Sequence, residues 1–415
     1  MKQTLTTLVL LTLAITLNGC ASFGRGITEA IMEKQQQEDT RLCEIRGHAF
    51  EGLKPNLEVE GSKMKVLMVH GVGDHLPGYA TEFFEKLAKE LDLTVTATKH
   101  KNIALSSPNN GEKKLGNLRI NRYLNKEQSQ ELLLYELTWS EITAEEKKVL
   151  SYDNSGEYSF RRAEVNDLLK KFSNDTGPDP IIYLGDSRED ILVAFEQSLC
   201  WMTSGNWNDL PDEVHQSCQW QNIDSIYNDN YAFVSHSLGS RITIDGLQRI
   251  ASLFGGPQTD QLHWDLVTAL KSKEIPIYMM SNQLPMLQLG RKLPEVSNQH
   301  DTFCEPEGEK YDERMLAKTP IIAFSDPNDL LSYAIPENFI NNYLDSRLCI
   351  SVTNVIINVA TVYDVFGMGK MANPLDAHIG YDTDDRVVGL IAKGIGHNNT
   401  AEAVKQRCHW IETID

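Results

Sequence analysis

In YAFVSHSLGSRI, Tyr231 to Ile242, an apolar run stops at Ser235-His236-Ser237-Leu238-Gly239 and an apolar, helix-compatible segment begins at once. A serine held on a sharp strand-to-helix turn presents its hydroxyl clear of both elements. That hydroxyl becomes a nucleophile when a histidine takes its proton and a carboxylate orients the histidine. The alternative is a turn serine buried between two packed elements. Three further stretches carry the side chains such chemistry needs: VHGVGDH around His70, AFSDPNDLLSY with Asp326 and Asp329, and LDAHIGY with His378.

The elements that must position these groups read as alternating strands and helices. MKVLMVH, Met64 to His70, is a buried strand closed by Gly71-Val72-Gly73, and ATEFFEKLAKELD places Phe83, Leu87 and Leu91 at helical spacing. A strand followed by a helix is half of a βαβ unit. LTVTA from Leu93 is a candidate strand, and GNLRINRYL and ELLLYELTW flank NKEQSQ as a candidate pair. From Glu141 to about Asn230 the chain is mostly polar, with EKKVL, RRAEVNDLLKKF and REDILVAFEQSL as amphipathic pieces. IPIYMMSN, TPIIAFSD and LCISVTNVIINV then restore the parallel-sheet pattern, and DRVVGLIAKGIG reads as a closing helix that ends at glycines. The expected fold class is α/β, a mostly parallel central sheet flanked by helices, in one domain over 61–415 with a largely helical insertion at about 100–228.

The four stretches together resemble the α/β-hydrolase superfamily, above all its lipase and esterase branches, from about Met64 to Ile395. The order serine, acid, histidine is the order that fold uses. The resemblance implies Ser237 as nucleophile, with small Ser235 and Gly239 on either side where the family more often has glycine at the first position. It implies His378 as base; His397 in GIGHNNT is the rival, and His236 is expected to pack. Asp329 is the implied acid, because Asn328-Asp329-Leu330-Leu331 resembles the acid segment of class 3 lipases, while Asp326 before Pro327 suits the start of a turn. The oxyanion formed on the attacked carbonyl would be met by the backbone N–H groups of Leu238 and Val72. A second motif, Gly185-Asp186-Ser187, resembles the block of SGNH esterases, but it is central in the chain and its late partner Asp376-Ala377-His378 is one residue short.

Export and surroundings are read from the rest of the chain. MKQTLTTLVLLTLAITLNGC has a cationic start, an apolar stretch too short to span a bilayer comfortably, and Gly19 before Cys20. Leu17-Asn18-Gly19-Cys20 resembles the lipobox of bacterial lipoproteins, which implies removal of residues 1–19, lipidation of Cys20 and a tether over about 20–60. Ala21, not being aspartate, implies the outer membrane by the sorting rule of Gram-negative lipoproteins. Six cysteines remain, an even number that suggests disulfides in an oxidising compartment, with Cys200 and Cys218 as the natural local loop. No Cys-x-x-Cys or His-x-x-x-His spacing marks a metal site. A net charge of −19 with no basic block argues against nucleic acid as a partner.

The expectation is a membrane-tethered serine hydrolase that cleaves carboxylic esters, with lipids among the candidate substrates, through an acyl-serine and without a cofactor. The long insertion would serve as a lid. An acyltransferase with the same triad, and a non-enzymatic lipoprotein that uses the scaffold for binding, are the alternatives.

Overall fold

A computed structural model describes residues 41–95, 100–155, 162–220, 224–254, 261–364 and 370–413. The signal segment, Cys20 and the first part of the tether lie outside the described residues.

Apolar runs with no polar face build the centre of the sheet. In β2 (Met64–Val69) all six residues are buried, and the same holds for Tyr231 to Ser235 of β8 (Asn230–His236) and for β9 (Ile277–Met280). Strands covered on both faces carry this continuous hydrophobic pattern, and they pair in parallel. The full sheet has 12 strands: β1 (Cys43–Gly47), β2, β3 (Thr94–Val95), β4 (Lys101–Ser107), β5 (Asn110–Leu124), β6 (Glu131–Thr138), β7 (Val214–Gln216), β8, β9, β10 (Thr319–Ser325), β11 (Ile350–Ile357) and β14 (Cys408–Glu412). Their order is β14-β1-β11-β10-β9-β8-β2-β6-β5-β4-β7, with β3 beside β5. The run from β11 to β6 is parallel throughout, and antiparallel pairs join it to the outer strands. A separate antiparallel ladder joins β12 (Val362–Asp364) to β13 (Lys370–Ala372). The fold is α/β with a large, mostly parallel mixed sheet.

The candidate pair in the sequence is the antiparallel pair β5–β6, and β6 also lies parallel to β2 inside the main sheet. The helical part of the insertion therefore begins after Trp139. Its main helices are α2 (Glu164–Thr176) and α3 (Ser187–Thr203), and α3 packs on α4 (Leu238–Phe254), the helix that follows β8. On the other face, α1 (Thr81–Glu90) packs against α5 (Asp385–Lys393). Alternate residues of the strands feed two cores: Leu67, Val69 and Phe233 on one face, Val66, Met68 and Val234 on the other.

Three disulfides, Cys43–Cys408, Cys200–Cys218 and Cys304–Cys349, use all six cysteines after Cys20. The first ties β1 to β14 at one edge of the sheet. Such a set belongs with an oxidising compartment. Among the described residues no helix is long and apolar enough to cross a membrane.

Candidate active site at the carboxyl edge of the sheet

From β2 the chain runs to β6 on one side and returns to β8 on the other, so the crevice at the ends of β2 and β8 is a topological switch point. Ligands of open α/β sheets bind there. The loops after β2, β8, β9 and β10 all open onto this edge, and they carry the residues in question.

Ser237 follows β8 directly and has φ of 55°, a left-handed conformation that costs a non-glycine residue about 1–2 kcal/mol. Its neighbours hold it there. The Ser237 N–H donates to the Met280 carbonyl at 3.0 Å, the Ser240 N–H donates back to the Ser237 carbonyl at 3.1 Å, and the Ser235 hydroxyl donates to Ser240 Oγ at 3.3 Å. A Cβ on Gly239 would stand 2.3 Å from the Val69 carbonyl oxygen, so the start of α4 can lie against the end of β2 only with glycine at this position. Ser237 is completely buried and its Oγ has no hydrogen-bond partner.

Asp329 and His378 meet at the end of the next strand, where Ser281 follows the Met280 whose carbonyl holds Ser237. His378 Nδ1 lies 3.0 Å from Asp329 Oδ1 and 3.1 Å from Oδ2. Burial alone would raise the Asp329 carboxyl; bonding and attraction to His378, with the Leu331 N–H and the Ser281 hydroxyl, outweigh it and hold the group below its ordinary value. An ionised carboxylate only accepts, so Nδ1 carries the proton and Nε2 presents its lone pair. That Nε2 is buried and has no hydrogen-bond partner either. His236 links the two parts of the site: its Nε2 donates to the His378 carbonyl at 2.8 Å, and the two rings lie 5.1 Å apart. Burial, and then the neighbouring His378, lower the His236 imidazole to about 3, so it stays neutral.

Asp326, three residues before Asp329, is occupied otherwise. Its Oδ1 accepts from the Asn328 backbone N–H at 2.7 Å and side chain at 2.9 Å, and its Oδ2 accepts from the N–H groups of Val359 and Ala360 at 2.7 and 3.1 Å. It ties the β10 turn to the end of β11. Ser187 opens α3 on the insertion, where its hydroxyl bonds Glu146, and His397 lies in the turn after α5, its carbonyl accepting from Thr400. Neither residue joins the His378–Asp329 pair.

Leu238 is the first residue of α4, where an N–H has no intrahelical acceptor. Val72 sits in the loop after β2, next to Gly71, which is the residue that lies against Ser237. His70 fixes the start of that loop. Its Nε2 accepts from the Trp139 backbone N–H at 3.1 Å, its Nδ1 donates to the Gly71 carbonyl at 2.8 Å, and its ring stacks on Trp139 at 4.6 Å. The far end is held by the insertion, where Asp179 Oδ2 accepts from the Gly73 N–H at 2.7 Å. Lys147, 3.0 Å from Asp179, also reaches Asp74 and Asp175.

Sequence reasoning overlooked Ser281. It follows β9 directly with φ of 50°, its hydroxyl donates to Asp329 Oδ2 at 2.7 Å, and its Oγ is 2.9 Å from His378 Nδ1. IPIYMMSN stops at a serine as YAFVSHS does, and that parallel was the available signal. Among the described residues no group of three or more His, Cys, Asp or Glu side chains is arranged to hold a metal ion.

No protein-family model matches the chain, and neither curated proteins nor solved structures provide a match. Fold and site define an α/β protein with a large mixed sheet, at whose carboxyl edge a strained, buried serine stands near a histidine–carboxylate pair.

Proposed function

We propose that the protein is a serine hydrolase of carboxylic esters, with the chain organisation of the α/β-hydrolases. The observation that carries this reading is the coincidence of a left-handed Ser237 on a strand-to-helix turn with a His378 whose Nδ1 is committed to Asp329 and whose Nε2 is uncommitted. In the proposed reaction Ser237 Oγ attacks the ester carbonyl while its proton passes to His378 Nε2. The N–H groups of Leu238 and Val72 receive the charge that develops on the carbonyl oxygen. The C–O bond to the alcohol breaks, the alcohol leaves with the proton held by His378, and water repeats the sequence on the acyl-serine to release the acid. Ser237 is fully buried, so substrate entry needs a movement of the cover. The end of α2 lies on the Gly73 loop, with Asp175 Oδ2 3.3 Å from where a Gly73 Cβ would stand, which makes the insertion the element to move.

Lipidation at Cys20 would tether this enzyme to the outer membrane and hold it against lipid esters; the LNGC site supports that placement. The test is hydrolysis of an ester chain-length series by protein lacking residues 1–19, with Cys20→Ser to keep it soluble and Ser237→Ala as control. Turnover that Ser237→Ala abolishes supports the reading, and equal turnover by both proteins ends it.

A further inference from the structure

Asp245, on the second turn of α4, is the meeting point of three guanidinium groups. Its Oδ1 faces Arg241, and its Oδ2 accepts from Arg188 Nη2 at 3.1 Å, from the Tyr183 hydroxyl at 2.8 Å and from Arg291. Among the described residues no second carboxylate pairs with any of the three arginines. Three cations against one anion leave two positive charges unmatched, in a chain whose net charge is −19.

The arrangement has spare donors as well as spare charge. The Nε atoms of Arg188 and Arg241 are buried and have no hydrogen-bond partner, although the Arg241 side chain is only 3% exposed. A buried, unpartnered donor on a charged group is expensive, and a protein ordinarily satisfies it. Burial and then the adjacent Arg241 charge lower the Arg291 guanidinium from its ordinary value, whereas at Arg188 burial is outweighed by the attraction of Asp245, which raises it. Arg188 is 38% exposed, so the cluster opens to solvent on its side. In the chain, Ile181 and Leu184 flank Tyr183 and Leu289 comes two residues before Arg291, and all three are apolar and largely exposed.

The cluster adjoins the candidate active site. Arg241 is four residues beyond Ser237, on the first turn of the helix that starts directly after it. Arg291 ends the segment that starts at Ser281, and Gln288 in that segment accepts from Arg241 Nη1 at 2.8 Å.

We propose that Arg188, Arg241 and Arg291 form a subsite for a phosphate-type oxyanion, carried on an amphiphilic ester whose apolar part lies on Ile181, Leu184 and Leu289. The inference rests on the ester-hydrolase reading for the word substrate, but the anion site stands without it. Guanidinium forks match the oxygens of such a group in pairs, and two unmatched charges complement its one or two negative charges.

Two measurements test this. In the first, the melting temperature is recorded with inorganic phosphate and with chloride at equal ionic strength, for the wild type and for Arg188→Gln and Arg291→Gln, each confirmed folded by circular dichroism. A phosphate-specific rise in the wild type that both variants lose supports the subsite; no phosphate-specific rise overturns it. In the second, kcat/KM is compared for two esters of one acyl chain, one with a phosphate-bearing alcohol and one with a neutral alcohol. A preference of tenfold or more for the phosphate ester, reduced about tenfold in the variants, supports its role in substrate choice. Equal turnover of the two esters alongside a phosphate-specific rise overturns that role and leaves a site for the free anion. A phosphate-specific rise in a protein that hydrolyses no ester refutes the hydrolase reading alone.

Discussion

Gly71 approaches Ser237 so closely that a Cβ on the glycine would stand 2.6 Å from the serine Cβ and 3.0 Å from the His236 carbonyl oxygen. The loop after β2 and the turn after β8 therefore share one tight contact, and a side chain at Gly71 would have to push the serine away. Gly71→Ala is expected to lower kcat on the ester substrate at least about a hundredfold, since a displacement of about 1 Å at a reacting group costs that much. Overpacking should also cost roughly 1–3 kcal/mol of stability. Steady-state kinetics on protein verified as folded reads the first, and denaturant unfolding the second. A Gly71→Ala enzyme with unchanged kcat would mean that this contact does not set the serine's position.

Asp326 and Asp329 separate by what they hold. Asp329→Asn removes the carboxylate facing His378 Nδ1, and kcat should fall by up to about ten-thousandfold with KM little changed. Asp326→Asn leaves fewer acceptors for its four N–H bonds, two inside the β10 turn and two to the end of β11, at about 1–3 kcal/mol for each group left unsatisfied. It should lower the melting temperature and spare the rate of the folded fraction. If Asp326→Asn alone collapses the rate at matched folding, the acid assignment moves.

Ser281 gives Asp329 a further donor beside the imidazole and the Leu331 N–H. Ser281→Gly removes that donor while tolerating the left-handed backbone, and loss of a hydrogen bond to a charged group, about 1.5–3 kcal/mol, should lower kcat by roughly tenfold or more. The KM should stay close to that of the wild type. A Ser281→Gly enzyme with full kcat would reduce Ser281 to a packing residue.

This network shows where the sequence was legible and where it was not. Ser237 could be read because its whole setting is local: an apolar strand, a turn of small residues and a helix follow one another within twelve positions. Which aspartate faces His378 was less visible, since Asp326 and Asp329 share one turn and differ only in which distant backbone or side chain they meet. Ser281 was hidden because a positive φ leaves no mark on a serine in the sequence. The strand β14 was also missed, because CHWIE is short, of mixed polarity and at the sheet edge, where its pairing with β1 is set by an element 365 residues away. The charged start of β5, Glu112-Lys113-Lys114, lies in an exposed ladder with β4 and so lacks the apolar alternation that marks a strand.

His236 and acid should act together on stability. Its imidazole titrates at about 3 in the folded protein, below the ordinary value near 6.5, so the unfolded chain binds the extra proton between these limits. The stability that this group contributes is complete above about pH 6.5 and declines as pH falls toward 3, by at most about 1.4 kcal/mol per pH unit. His236→Gln should lose less stability than the wild type between pH 7.5 and pH 5, as read by chemical denaturation at each pH. An equal loss in both proteins would show that His236 is not held neutral by its surroundings.

The most direct test of the account is covalent labelling of the folded protein with a fluorophosphonate, followed by peptide mass spectrometry. The probe requires an activated serine, and Ser237, on the turn between β8 and α4, is the one proposed. The expected result is a single adduct on the peptide containing Ser237, lost in Ser237→Ala and strongly slowed in His378→Ala, with Ser187→Ala labelled like the wild type. An adduct on Ser187 or Ser281, or undiminished labelling of Ser237→Ala, would contradict it.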